Sequence, residues 1–385
     1  MDMARTYLDH NATTPLLPVA RSAMIDALDL FGNPSSVHAE GRHARNVLDQ
    51  ARARVASMSG ADRDDVVFTS GATEALNLVL TPELRLDGAP LDLLLIAGGE
   101  HPAVFAGHRF GAAFEIVPLR HDGTLDLDQL AAALERHAGR RVMLALQACN
   151  NETGVIQPVC DAARLVHLHG GFVVCDAVQA IGKIKVSLAS LGADALVVSA
   201  HKFGGPKGIG ALCFARSRHH LSEGIIRGGG QERGLRAGTE NLAGIAGLGA
   251  ASAEMPAWID VLMPRLGRWR DEIERHVRAV AGDAVFFGAS AARALNTTCF
   301  ALPGVDSRML TMGLDLEGVA VSAGSACSLG KARASQVLVA MGVPADVAGS
   351  ALRVSLGWTT GAGDIECFAT AFSKVVARMR PRRAA

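Results

Sequence analysis

Neither charge is in excess in this chain: lysine and arginine together number 38, and so do aspartate and glutamate. No whole-protein field therefore draws it to nucleic acid or to an acidic membrane surface. Aromatic residues are scarce, at 4%, while glycine supplies 42 residues and the apolar fraction is 49%. That balance suits a glycine-jointed α/β enzyme with a core of Val, Leu, Ile and Ala. No uncharged apolar stretch reaches ~18 residues, so nothing is expected to span a membrane. The opening stretch, Met1-Asp-Met-Ala-Arg-Thr-Tyr-Leu-Asp-His10, interleaves acid and base and lacks the basic start and apolar run of a signal peptide. A cytoplasmic enzyme is the expectation.

Paired cysteines are also missing. The seven thiols, at 149, 160, 175, 213, 299, 327 and 367, are odd in number and widely spaced, with no CxxC. A disulfide framework or a zinc knuckle is not expected. Cys149, Cys175 and Cys213 stand in apolar, strand-like surroundings and read as small core residues. Cys327 does not, because its neighbours are Gly, Ser and Ala.

Among what is present, periodicity organises the chain. Residues 36–59 read as an amphipathic helix. Val66-Val-Phe-Thr69 reads as a strand, followed by a small-residue turn and the helical stretch 74–80. Apolar runs at 91–97, 141–148, 172–175 and 195–198 alternate with helical segments such as 125–137 and 158–169. Short buried runs separated by helices predict an α/β fold with a mainly parallel sheet covered on both faces. The turn-rich run 204–210 leads into a further strand at 211–215. The glycine-rich stretch 228–245 has no clear period and reads as loop. A long helix carrying Trp258, Leu262, Leu266 and Trp269 follows, and residues 297–380 read as α+β. At ~150 residues per domain, two domains are expected: a large one over 15–255, and a smaller α+β one from 1–14 and 256–385 that carries the Cys327 loop.

Polar groups gather where the apolar runs end. Lys202 closes Ala195-Leu-Val-Val-Ser-Ala-His-Lys202, and a lysine at the end of a buried strand is costly unless something uses it. Alone it would read as a lysine snorkelling to the surface. Beside Ser199, His201 and a glycine loop it reads as an amine able to form a Schiff base with an aldehyde cofactor. Asp176 ends the run 172–175; it reads as a helix cap or as the partner of a pyridine nitrogen, with Gln179 one turn further on. Ser70-Gly-Ala72-Thr73-Glu74 sits between a strand and a helix start, where backbone N–H groups and the helix dipole meet an anion. His101 could cap a helix or stack on a ring and carry protons. Asn150 and Asn151 follow the run 141–148. Ligands of open α/β sheets bind at such strand ends. Cys327, with Lys331 and Arg333 nearby, reads as an exposed thiol whose thiolate is favoured.

Taken together, Ser199-Ala-His-Lys-Phe-Gly-Gly-Pro-Lys-Gly208, Gly324-Ser-Ala-Cys327, Tyr7-Leu-Asp-His-Asn-Ala-Thr-Thr-Pro15, Phe31-Gly-Asn-Pro-Ser-Ser36 and Leu352-Arg-Val-Ser-Leu-Gly357 resemble the cysteine desulfurases of the NifS/IscS type. These belong to the class V aminotransferases, within the fold type I enzymes of pyridoxal 5'-phosphate. The resemblance covers nearly the whole chain. It implies that Lys202 bonds the cofactor, Asp176 pairs with its ring nitrogen, and Gln179 and Asn151 hold ring and substrate. It further implies that Ala72, Thr73, Ser199 and His201 bind the phosphate, that His101 stacks on the ring, and that Arg353, with Asn33 nearby, binds the substrate carboxylate. Thr239 would reach the phosphate of a second subunit, which implies a homodimer. Cys327 would take sulfur from L-cysteine, leaving L-alanine, and pass it to a scaffold or carrier protein for iron–sulfur assembly or other sulfur traffic. Another lyase or aminotransferase of the same fold, such as a selenocysteine lyase, is the alternative. The run Ser328-Leu-Gly-Lys-Ala-Arg-Ala334 departs from the usual Cys-Thr-Ser-Gly continuation of the family.

Overall fold

A computed structural model of the chain describes residues 5–86, 88–215, 221–323 and 334–380. Cys327 lies outside the described residues.

The apolar runs become the strands of a seven-stranded sheet: β1 (Val66–Thr69), β2 (Leu93–Ala97), β3 (Phe114–Val117), β4 (Val142–Gln147), β5 (Phe172–Asp176), β6 (Ala195–Ser199) and β7 (Gly210–Phe214). Their spatial order is β1-β7-β6-β5-β4-β2-β3. Every residue of β2, β4, β5 and β6 is buried, as strands covered on both faces must be. Neighbours from β3 to β6 run parallel, while β7 is antiparallel to both β1 and β6. The antiparallel strand follows from the short turn at 204–209, which sends the chain straight back and leaves no room for a crossover helix.

Two helices flank one face closely. Helix α1 (Ala39–Ser59) starts where His38 Nδ1 accepts the Gly41 N–H at 3.3 Å, and it stops at Gly60 in the left-handed region. Against it lies a helix over Leu242–Ala257, where a Cβ on Gly249 would stand 2.6 Å from the Ala51 Cα. Glycine is thus what lets the two backbones approach. This helix begins inside the stretch that reads as loop, at an Asn241 cap whose side chain accepts the Gly244 N–H at 3.1 Å. Its residues Leu242-Ala-Gly-Ile-Ala-Gly-Leu-Gly-Ala-Ala251 are apolar on almost every side, so no amphipathic period marks the start. A π-turn at Trp258–Leu262 joins it to a second helix, Met263–Val280, so the long connector is jointed rather than uniform.

A four-stranded antiparallel sheet follows: β8 (Val285–Phe286), β9 (Thr297–Ala301), β10 (Ser322–Ala323) and β11 (Ala351–Ser355), in the order β8-β9-β11-β10. Its core joins Phe300, Leu352 and Val354 to Leu266, Ile273 and Val277 of the connector and to Phe368, Phe372 and Val375 of the helix Ala362–Met379. No helix among the described residues is long and apolar enough to cross a membrane.

Candidate active site

Five strands of the large sheet end in polar residues that line one cavity of about 640 Å³, inside the range of small-molecule sites. Ala72 and Thr73 come from the turn after β1, and His101 follows β2. Asn151 follows β4, Asp176 and Gln179 stand at and after β5, and Ser199, His201 and Lys202 close β6. Arg353 reaches the same cavity from β11 of the small sheet.

Asp176 is buried at the end of β5, where its Oδ1 accepts the Val178 N–H at 2.9 Å. It therefore organises a turn, not a helix cap. Burial raises its pKa to about 6, against the lowering influence of the Val178 N–H and the Lys202 charge. A cationic ring N–H would remove that cost. Beside it Glu100 is also buried, with Oε1 accepting the Gln147 N–H at 2.6 Å and Oε2 without a hydrogen-bond partner among the described residues. Burial and then the Asp176 charge push the Glu100 carboxyl well above the carboxylate range, so the negative charge of the pair falls on Asp176.

The anion end of the cavity is built from backbone. The helix Ala72–Val79 opens at Gly71 with no side chain capping it, which leaves its first N–H groups to a ligand. A Cβ on Gly210 would lie 2.6 Å from the Val198 carbonyl and 2.8 Å from the Gly71 Cα, so only glycine lets this turn settle against β7. Ser199 and His201 stand beside it. His201 has its pKa lowered to about 4 by burial and by the charges of Lys202 and Lys207, so the ring is neutral and serves as an N–H donor. Its Nδ1 lies 3.2 Å from Thr13 Oγ1.

Lys202 Nζ donates to the carbonyls of Asn11, at 2.8 Å, and Ala12, at 3.0 Å. Two carbonyls that take N–H groups orient the amine's remaining valence. His101 both caps the helix Pro102–Gly107, with Nδ1 accepting the Ala103 N–H at 3.1 Å, and lines the cavity. Burial and the Lys202 charge lower its pKa, so it too is neutral. Arg353 is nearly withdrawn from solvent; Nη2 donates to Asp9 Oδ1 at 2.7 Å and Nη1 to the Asn151 carbonyl at 3.0 Å. Its buried Nε finds no hydrogen-bond partner among the described residues, a standing demand for an acceptor.

Two of the residues picked from the sequence are not brought here. Asn33 is exposed and its Oδ1 accepts the Ser35 N–H at 2.8 Å, so it shapes a local turn. Thr239 is exposed and outside the cavity lining. The cavity also holds residues that sequence reasoning passed over: Asn11, Thr13, Gln147 and Lys207. Asn11 to Thr13 lie in a segment that had no apolar run before it, and only the fold carries them to the strand ends. Cys149, Cys175, Cys213 and Cys299 are buried, and burial raises every one of these thiols, Cys149 to about 11 and Cys213 to about 12.

The model of the class-V aminotransferase family matches residues 6–368. The chain belongs to that family. Its members are enzymes that use pyridoxal 5'-phosphate, and a buried aspartate, a strand-end lysine and an uncapped helix start suit that cofactor's ring nitrogen, aldehyde and phosphate. The chain is 39% identical to a cysteine desulfurase of Cereibacter sphaeroides, over 98% of this chain and 97% of that protein. It is 36% identical to the cysteine desulfurase IscS of Dictyoglomus turgidum, over 97% of this chain and 95% of that one. Among solved structures, a NifS-like protein from Rickettsia africae superimposes with a TM-score of 0.86 at 30% identity, covering 96% of this chain and 99% of its own.

Proposed function

We propose that this family member is a cysteine desulfurase that turns L-cysteine into L-alanine and leaves the sulfur as a persulfide on Cys327. The observation that carries the reading is the convergence of buried Asp176 and Arg353 and half-buried Lys202 on one cavity. In this reading Lys202 bonds pyridoxal 5'-phosphate, Asp176 faces the ring nitrogen, Gln179 and Asn151 hold its edge, and Ala72, Thr73, Ser199 and His201 take the phosphate. The cofactor, when bound, supplies an aldehyde for the substrate amine and a ring that withdraws electrons from the neighbouring carbon.

The rest is done by the chain. Arg353, which lines the cavity, fixes the substrate carboxylate. The Lys202 amine, seated on the carbonyls of Asn11 and Ala12, takes the α-proton, while neutral His101, with Nδ1 engaged by the Ala103 N–H, keeps its proton on Nε2 and acts as a donor. The Cys327 thiolate attacks the substrate sulfur. A sulfur–sulfur bond forms as the carbon–sulfur bond breaks, the electron pair goes to carbon, and reprotonation there yields alanine. The four buried thiols, all hard to ionise, are poor candidates for that attack. A homodimer, with the exposed Thr239 of one copy near the phosphate of the other, belongs to the same reading. So do the division into a large domain over 15–255 and a smaller one from 1–14 and 256–385, a cytoplasmic setting, and a protein acceptor for the sulfur.

Three proteins test it: wild type, Lys202→Ala and Cys327→Ser, each incubated with the cofactor and cysteine. Wild type should be yellow, release alanine rather than pyruvate, and carry an extra sulfur on the peptide containing residue 327. Lys202→Ala should lose colour and turnover together. Cys327→Ser should keep the colour and lose the persulfide; full-rate sulfide release from it would overturn the reading.

A further inference from the structure

Lys183 follows β5 on the turn, is 7% exposed, and is not among the residues that line the cavity. A buried ammonium ordinarily keeps a carboxylate partner. None lies within ion-pair distance of Lys183 among the described residues. Its Nζ instead donates to two amide oxygens, Asn11 Oδ1 at 2.7 Å and Gln179 Oε1 at closer range.

Those two contacts set the sense of both amides, since oxygen toward Lys183 means nitrogen away from it. Gln179 Nε2 donates to the Asn11 carbonyl at 2.9 Å. Asn11 Nδ2 donates to the Asn151 carbonyl at 3.1 Å and to Thr297 Oγ1 at 3.0 Å. The same Asn11 carbonyl receives Lys202 Nζ at 2.8 Å. One buried amine, its pKa lowered by burial to about 7, thus stands behind Gln179, the seat of the Lys202 amine and the loop that holds Asn151. The ionisable groups acting on it are Cys149, Lys202 and Arg353, and it acts in turn on His10.

We propose that Lys183 is a positioning residue for the reacting lysine: through Asn11 and Gln179 it fixes where the Lys202 amine sits and which way round the Gln179 amide stands. The inference rests on the reading that Lys202 carries the cofactor. Removing Lys183 takes the ammonium donor from Gln179 Oε1 and leaves Asn11 Oδ1 with only the longer bond from Asn296 Nδ2, at 3.3 Å, so the hold on both amides is weakened. Where Lys183 is charged, below about pH 7, its removal also takes a cation from beside Lys202, which favours a proton on the nitrogen that Lys202 carries.

The test is an absorbance titration of the reconstituted holoenzyme against pH, with the dissociation constant for pyridoxal phosphate measured on the apoprotein. In Lys183→Met the titration midpoint should rise by about 0.5–1 pH unit and the cofactor should bind roughly 3–30-fold more weakly. A merely structural lysine would lower the melting temperature and leave the midpoint in place; that result overturns the proposal. Should Lys183→Met fail to fold, Lys183→Ser, which admits water to the place of the lost ammonium, is read by the same midpoint and the same sign. Colour that survives in Lys202→Ala would instead overturn the cofactor reading itself. Normal wild-type behaviour with an unmoved variant midpoint overturns only the role of Lys183.

Discussion

Arg353 Nη2 and Asp9 Oδ1 meet at 2.7 Å, with side chains only 4% and 17% exposed. The guanidinium therefore keeps one carboxylate of its own and is held rigid for a second. Replacing Arg353 with Gln should remove a desolvated charge from the substrate carboxylate, at a cost of about 2–4 kcal/mol, or roughly 30–1,000-fold in kcat/KM for cysteine. Cysteamine, which lacks the carboxylate, should show no comparable loss. Steady-state kinetics with both amines checks this, and an equal loss for both would mean that Arg353 acts on something other than the carboxylate.

Asp176 illustrates the cost of a poised site. Its folded pKa of about 6 lies above the ordinary aspartate value of 3.8 because burial disfavours the charge. A raised acid favours the folded state below about pH 4, and that contribution is lost as pH rises through about 6. Asp176→Asn should therefore leave the apoprotein unchanged near pH 4 and stabilise it by about 1–3 kcal/mol at pH 7.5. The same variant should bind pyridoxal phosphate far more weakly. Urea unfolding of the apoprotein at the two pH values, beside a cofactor titration, reads both arms.

His201 should contribute to phosphate binding without acting as a cation. Because its pKa is lowered to about 4, cofactor affinity should show no step from this ring between pH 5.5 and 8. His201→Asn, a neutral N–H donor, should stay within about 3-fold of wild type, while His201→Phe should lose about 10-fold. Equilibrium titration across that pH range separates the two.

Stability hangs on a pair well away from the chemistry. Arg52 donates to both oxygens of Glu232, at 2.8 and 2.6 Å, with side chains 6% and 1% exposed, and Glu232 also accepts the Phe68 N–H at 2.9 Å beside the cofactor turn. Glu232→Ala would strand the guanidinium in the interior and should destabilise the fold by about 3–5 kcal/mol. Arg52→Met with Glu232→Leu should recover much of that loss. Chemical denaturation of the single and double variants tests the pairing.

Much of the architecture was legible because its signals are local. A strand covered on both faces needs an unbroken apolar run, and β2, β4, β5 and β6 show one each. A polar residue closing such a run is expensive, which is why Asp176, Ser199 and Lys202 stand out. The helix Leu242–Ala257 was hidden for the opposite reason: it is apolar on almost every side, so no period announces it.

The sequence by itself determined the parallel sheet, the reactive residue types and their order, because backbone periodicity and the cost of burying charge act within a few residues of chain. Tertiary structure alone decided that Asn11, 191 residues before Lys202, receives its amine, and that Arg353 joins the cavity from another sheet. It also decided that Lys183, indistinguishable in sequence from a surface lysine, is buried behind both amides. Hydrogen bonds and desolvation depend on distance in space, and nothing in a linear pattern records which distant segments the core brings together.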